Sequence, residues 1–259
     1  GKFLFKNNSL IYKKVDHDKA VEEKDGNVMK PICFIGARGS SKGVPKKNIR
    51  MIGGKPLLAY TIEKALKSKF FSHTIVSTED SEIIKISKKY GADVPFIRPK
   101  KLATNNASME DALLHGIKKL NSLGYLFDTI VLLDCTVPFL QISDIKKAVG
   151  LLKRKNADVV CGVYKQHLNP YFNIVEITKH GYLELCKKLK QTPENRQDAP
   201  TVYQMNGLYV FNSKRFLKKG KSVMEKMIPY EIPIETGLMI DTEYEFNIVK
   251  LILESRKKH

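Results

Sequence analysis

From Pro31 onward the chain alternates short apolar runs with segments whose apolar residues recur at helical spacing, and this rhythm limits the fold more than any other feature. Residues 32–35 (ICFI) fit a buried strand, and residues 56–69 (PLLAYTIEKALKSK) an amphipathic helix. Residues 73–77 predict a strand. Residues 81–90 predict a helix with Asp80 as its N-cap and Gly91 as its stop. A short strand over 94–97, a helix over 108–123 and a strongly apolar strand over 129–133 (TIVLL) follow. A helix over 142–153 and a buried strand over 157–163 complete the series. Apolar strands separated by amphipathic helices predict an α/β fold, doubly wound, with a mainly parallel sheet and helices on both faces. Ligands of such sheets lie at the carboxyl ends of the strands.

The rhythm changes after Val163. Residues 165–203 hold short strand-like pieces and turn residues, and read as a small inserted antiparallel lobe. A strand over 208–211 returns to the sheet, and Asp241 opens a last helix over 242–254. Residues 1–30 read as an N-terminal extension, with a hairpin turning at Lys6-Asn7-Asn8-Ser9. The domain proper is 31–259.

With 42% hydrophobic residues the 259-residue chain can bury a core, and no apolar run approaches the roughly 18 residues that span a bilayer. The first residues lack a signal-peptide pattern, so a cytoplasmic protein is expected. The formal charge of +18 favours anionic partners. The excess lysine is spread along the chain without an aromatic-interleaved block, so neither nucleic acid nor membrane is expected as a partner. The four cysteines form no CxxC pair, which excludes a zinc or redox motif. Cys33 and Cys161 fit buried small hydrophobes and Cys135 a spacer. No serine or cysteine pairs by spacing with His73, His115, His167 or His180 as a nucleophile would.

The decisive stretch is Gly36-Ala37-Arg38-Gly39-Ser40-Ser41-Lys42-Gly43-Val44-Pro45-Lys46-Lys47-Asn48, directly after the first sheet strand. Small residues let backbone N–H groups approach an oxyanion, and Arg38, Lys42 and Lys47 can offset a triphosphate. It is not a Walker A loop. Ser41 stands where the second glycine belongs, and Gly43 where the metal-binding hydroxyl belongs. A dinucleotide GxGxxG is absent too.

ARGSSKGVPKKN resembles the signature of the acylneuraminate cytidylyltransferases, the CMP-sialic acid synthetases. The likeness runs over about residues 32–256. Arg98-Pro99 with Leu102-Ala103, then Ala107-Ser108, then Thr136 and Pro138, then Asn206-Gly207, then Ile240-Asp241-Thr242-Glu243 match in order. Asn169-Pro170-Tyr171-Phe172-Asn173 and Arg196-Gln197-Asp198-Ala199-Pro200 resemble the branch that handles legionaminic-type sugars.

The resemblance implies a nucleotide-diphospho-sugar-transferase-like fold that joins CTP to a nine-carbon sugar acid and releases pyrophosphate. It also implies Mg2+ (or Mn2+), and a homodimer reached through the lobe. It assigns Arg38, Lys42, Lys47 and Asp241 to catalysis. Ala37, Ser41, Asn48, Arg98, Ala107, Ser108 and Asp134 go to the nucleotide, and Thr136, Arg196, Gln204 and Asn206 to the sugar acid.

Asp241 is the expected metal ligand, or else the N-cap of the last helix. Three positions depart from the family pattern: Asp134 replaces a Gln, Met239 the first of two carboxylates, and Gln204 an Arg. Asp134 is expected to replace part of the acid missing at Met239 as a second metal ligand. It could instead be a ribose acceptor or a solvated loop acid. Arg98 could be a strand-end cation and Arg196 half of an ion pair within the lobe. A transferase for another base or an eight-carbon acid, and a non-catalytic nucleotide-binding protein, stay open as rivals.

Overall fold

The computed structural model describes residues 2–6, 9–13, 29–41, 43–191 and 193–256, the first two segments by their backbone alone. In chain order the strands and helices begin with β1 (Lys2–Lys6) and β2 (Ser9–Lys13), an antiparallel hairpin pairing Lys2 with Lys13 and Lys6 with Ser9. This is the expected hairpin; Asn7 and Asn8 of its turn lie outside the described residues. Next come β3 (Ile32–Gly36), the two-residue strands β4 (Met51–Ile52) and β5 (Lys55–Pro56), α1 (Leu57–Lys67), β6 (Thr74–Ser77) and α2 (Ser81–Lys89). They are followed by α3 (Met109–Ser122), β7 (Thr129–Leu133), α4 (Ile142–Arg154), β8 (Val159–Gln166), β9 (Val175–Ile177), β10 (Leu183–Leu185) and β11 (Val202–Asn212). The series closes with α5 (Ser213–Lys219), β12 (Ile228–Glu231), α6 (Ile234–Gly237) and α7 (Glu243–Ser255).

Six strands form the central sheet in the order β12-β8-β11-β7-β3-β6. All run parallel except β11, which is antiparallel to both neighbours. The period-two alternation of the strands supplies both faces. Cys33, Ile35, Val131 and Leu133 pack with Leu58 and Ile62 of α1, Ile83 of α2 and Ile145 and Ala148 of α4. Ile32, Phe34, Ile130 and Leu132 pack with Leu113, Ile117 and Leu120 of α3 and Phe216 of α5. A third buried cluster joins Val44, Ile52, Leu57, Phe139, Ile240, Phe246 and Val249. It fastens three loops that meet at the carboxyl edge of the sheet, and it is what holds the candidate site together. No helix among the described residues is long and apolar enough to cross a membrane.

Several expectations need correcting. The strand over 94–97 does not form. Only an isolated bridge joins Ile75 to Asp93, because Pro95 has no N–H to extend a ladder. The sheet strand placed at 208–211 is the end of an eleven-residue strand whose register shifts between Met205 and Tyr209. Its first half pairs with β8 (Val202 with Gln166, Tyr203 with Lys165), so 165–166 and 202–203 belong to sheet arms rather than to the lobe. The lobe between the arms carries the β9–β10 hairpin. Strand β12 was not legible because Pro229 reads as a breaker; it is tolerated on a sheet edge. Asp80 caps α2 as expected, accepting from the Glu82 and Ile83 N–H groups. Asp241 does not cap α7. Thr242 does, in a reciprocal capping box with Glu245.

Lys64 of α1 is half-buried, and its ammonium donates to the Pro138 carbonyl at 2.8 Å. Burial, reinforced by the nearby charge of Lys55, pushes its ammonium down to about 7. The unfolded chain keeps that proton to an ordinary lysine pKa, so the folded state gains stability as pH rises from about 7 toward 10. Lys64→Met should therefore raise the melting temperature at pH 6.5 by about 2–5 °C, with the advantage shrinking by pH 9.5. Thermal melts of both proteins at the two pH values check this; a gap that widens with pH contradicts it.

Candidate active site

The loop after β3 folds back along the carboxyl edge of the sheet. Ala37 is fully buried and its N–H extends the β3–β6 pairing by donating to the Ser77 carbonyl at 3.1 Å. Arg38 Nη1 donates to the Thr104 carbonyl at 3.0 Å, and Ser40 Oγ reaches the Ala103 carbonyl at 3.5 Å. These contacts dock the loop on the segment that leads to α3. Ala107 is in that segment, its N–H turned onto the Thr104 carbonyl, and Ser108 is the N-cap of α3. Ser41 is half-buried in the loop. Lys42 lies outside the described residues.

A chain of polar contacts closes the far side. Asn48 Nδ2 donates to the Arg38 carbonyl at 2.9 Å, and its Oδ1 accepts from Cys135 Sγ at 2.8 Å. Asn48 thereby ties the loop to the exit of β7. One residue on, the Thr136 carbonyl accepts from Ile240 N–H at 3.0 Å. The Ile240 carbonyl in turn accepts from Lys47 Nζ at 2.7 Å, which also lies 3.4 Å from Asp241 Oδ1. Lys47 and Asp241, 194 residues apart, thus close on one another. Because Thr242 takes over the capping, the Asp241 carboxylate is free of the helix end and stays 56% exposed. At Gly43 any Cβ would sit 2.0 Å from the Asp241 carbonyl oxygen, so only glycine lets the loop lie against this segment.

Asp134 ends β7 half-buried. Its N–H donates to the Gly207 carbonyl at 2.8 Å, and its Oδ1 accepts from Thr136 N–H at 3.0 Å, while Oδ2 has no hydrogen-bond partner among the described residues. Gly207 must be glycine here, since its Cβ would fall 2.3 Å from the Asp134 Cβ. Asn206 lies at the register shift of β11, with Oδ1 on the Leu208 N–H at 2.9 Å. Two polar atoms in this area, Thr136 Oγ1 and Asn206 Nδ2, are buried without a partner among the described residues. Buried unpaired polar groups are uncommon and mark places where a polar ligand would be welcome.

Arg98 is almost fully buried behind the loop, with Nε and Nη2 on the Oγ and carbonyl of Ser77. Burial pushes its guanidinium pKa down, while the Glu79 carboxylate pushes it back up. Arg98 is therefore a buried cation at the floor of the site rather than a strand-end surface charge. The structure brings Ala37, Arg38, Lys47, Asn48, Arg98, Asp134, Thr136, Asn206 and Asp241 to one edge.

Among the described contacts it does not bring in Arg196 or Gln204. Arg196 is exposed on a turn of the lobe and forms no ion pair among the described residues. Gln204 is exposed on the β11 arm, where its Oε1 accepts from Gln166 Nε2. Met239 packs its side chain against the core, so the position of the missing first acid is apolar.

Sequence reasoning missed Glu79, which accepts the Gly39 N–H at 2.8 Å. The signal was available: Thr78-Glu79-Asp80 follows β6 directly, at a strand's carboxyl end. The Cys135 thiol, taken as a spacer, is a buried donor to Asn48 whose pKa burial pushes well up, which disqualifies it as a nucleophile.

A family model described as cytidylyltransferase matches residues 32–254. A pseudaminic acid cytidylyltransferase of Campylobacter jejuni is 43% identical over 225 residues, covering 86% of this chain and 96% of that protein. A CMP-N,N'-diacetyllegionaminic acid synthase of the same species is 36% identical over 228 residues, covering 86% of this chain and 94% of that protein. A solved structure of CMP:2-keto-3-deoxy-manno-octonic acid synthetase complexed with CTP shares the fold with a TM-score of 0.66 at 16% identity, covering 88% of this chain and 99% of that one.

Proposed function

The chain belongs to the cytidylyltransferase family, and from that membership we propose that it joins CTP to a nine-carbon, sialic-acid-like sugar acid, giving the CMP-sugar and pyrophosphate. The observation that carries the reading is the closure of the basic loop on Asp241 through Lys47, at the strand ends where a nucleotide belongs. The acceptor belongs to the nonulosonic acids. The pseudaminic acid relative is the more similar of the two, 43% against 36% for the legionaminic one, so pseudaminate stands beside legionaminate and N-acetylneuraminate as a candidate.

The reaction is attack of a sugar hydroxyl on the α-phosphorus, with pyrophosphate leaving. It asks the protein to align reactants and to neutralise charge, and needs no covalent intermediate. Arg38 and Lys42 serve the β- and γ-phosphates. Lys47, 14% exposed and already oriented by the Ile240 carbonyl, serves the α-phosphate and the charge that builds on the leaving group. Arg98 and Asn48 stiffen the floor of the nucleotide site. Asn206 and Thr136 offer their unpaired polar atoms to the acceptor.

A divalent cation, magnesium or manganese, fits the donors present. Asp241 has an exposed carboxylate not used for capping, and Asp134 has one open oxygen. No group of three or more metal-binding side chains exists among the described residues. A site of one or two carboxylates suits a cation that takes its other ligands from phosphates and water. When bound, such an ion would neutralise phosphate charge and acidify the attacking hydroxyl. Asp134→Asn should raise the magnesium concentration for half-maximal rate by about three- to tenfold, roughly 1 kcal/mol of lost charge interaction. An unchanged magnesium titration refutes the role of Asp134.

The same reading carries a cytoplasmic location and a homodimer built through the lobe. The exposed Val175, Ile177, Tyr182 and Leu183 of its hairpin support the latter. Pyrophosphate release with CTP or UTP and a panel of pseudaminate, legionaminate, N-acetylneuraminate and an eight-carbon acid tests the proposal. Turnover with CTP and a nine-carbon acid is expected; turnover only with UTP or the eight-carbon acid rejects it.

A further inference from the structure

Glu79 is a carboxylate to which the reaction as described gives no role. It lies in the turn after β6, on the same sheet edge as the basic loop. Its Oε1 accepts the Gly39 N–H at 2.8 Å, and its Oε2 is buried with no partner among the described residues. The residues on either side of that N–H are anchored independently, Arg38 to Thr104 and Ser40 to Ala103. Glu79 is therefore not needed to hold the loop in place. A carboxylate kept only as a strut would have both oxygens satisfied, because an unpaired buried anion oxygen is costly.

Loop N–H groups of this kind are donors to phosphate oxygens. A carboxylate seated on one of them is an internal anion in the position of an external one. We infer that Glu79 is a built-in competitor for the triphosphate: it occupies the Gly39 N–H that a phosphate oxygen takes when CTP binds, and so sets nucleotide affinity. The inference rests on reading this loop as the triphosphate site. On displacement the carboxylate still has a cation to answer, the buried Arg98 guanidinium, whose charged form it already favours. Glu79 is thus a place-holder rather than a strut: it covers the Gly39 N–H while nucleotide is absent and is exchanged for a phosphate oxygen when nucleotide binds. Its negative charge also opposes the polyanion from close range.

The test is calorimetric titration of CTP, with magnesium and without sugar acid, into the wild type, Glu79→Gln and Glu79→Ala. Glutamine keeps the shape and removes the charge; alanine removes the contact as well. Both variants are expected to bind CTP about tenfold more tightly, the size of one charge-assisted hydrogen bond. The KM for CTP should fall in parallel while kcat stays level or drops through slower product release. A merely structural role would not split KM from kcat in this way. Unchanged or weaker CTP binding by Glu79→Gln overturns the inference, and that variant decides the matter if the alanine protein does not fold. A wild type that binds no CTP is a different result, since it rejects the reading of the loop itself.

Discussion

Lys47→Met should lower kcat/KM for CTP by about 10²–10³-fold while the protein still folds. Lys47 Nζ is oriented in advance by the Ile240 carbonyl at 2.7 Å and lies 3.4 Å from Asp241. The cation therefore does not have to be organised when the triphosphate arrives, which is the condition under which a charge lowers a barrier most. Its loss leaves the Ile240 carbonyl without a donor, a cost of about 1–3 kcal/mol. That would lower the melting temperature by a few degrees, yet the buried cluster of Val44, Ile240 and Phe246 remains intact. Lys47→Arg keeps the charge and should recover part of the rate. Initial rates of pyrophosphate release and thermal melts on the three proteins decide the matter. A methionine variant within fivefold of wild type removes Lys47 from the chemistry.

Gly43→Ala should be nearly as damaging although it removes no functional group. The new methyl would sit 2.0 Å from the Asp241 carbonyl oxygen, a backbone atom that cannot rotate away. Loop and Asp241 segment must part, and a misplacement of about 1 Å in a reacting array costs on the order of 100-fold. Gly43 itself is exposed, so the global cost should stay within about 1–3 kcal/mol, the range for an overpacked contact. The expected signature is a large fall in rate, a moderate fall in melting temperature and weaker magnesium activation, since Asp241 is displaced with the loop. An alanine variant with normal rates means that the two segments separate freely during turnover.

The strands and helices that pack by local periodicity could be read directly. Thr129–Leu133 is buried at every position and apolar from Ile130 on, as a strand covered on both faces must be, and it forms with the expected limits. The turn Asp80-Ser81 opens a helix because an aspartate can accept the first free N–H groups. The basic loop was legible for a similar reason: its residue types and order carry its chemistry. Where a signal depends on what lies across the sheet, local reading failed. Pro95 turned a strand-like run into a single bridge, and Pro229 hid an edge strand. The antiparallel arms of β8 and β11 were missed because nothing in either segment records its partner.

The sequence by itself determined the α/β layering, the loop behind the first sheet strand and the cations in it. These follow from short-range patterns of burial, turn chemistry and charge. Only the tertiary structure decided that Lys47 is aimed by a carbonyl 193 residues away, that Thr242 frees Asp241 from the helix end, and that Asn48 is spent on Cys135. It also seated Glu79 on the loop and left Arg196 apart from it on the lobe. Such pairings depend on which distant segments the buried clusters press together, and no local propensity encodes the identity of a partner that hydrophobic packing brings in from the far end of the chain.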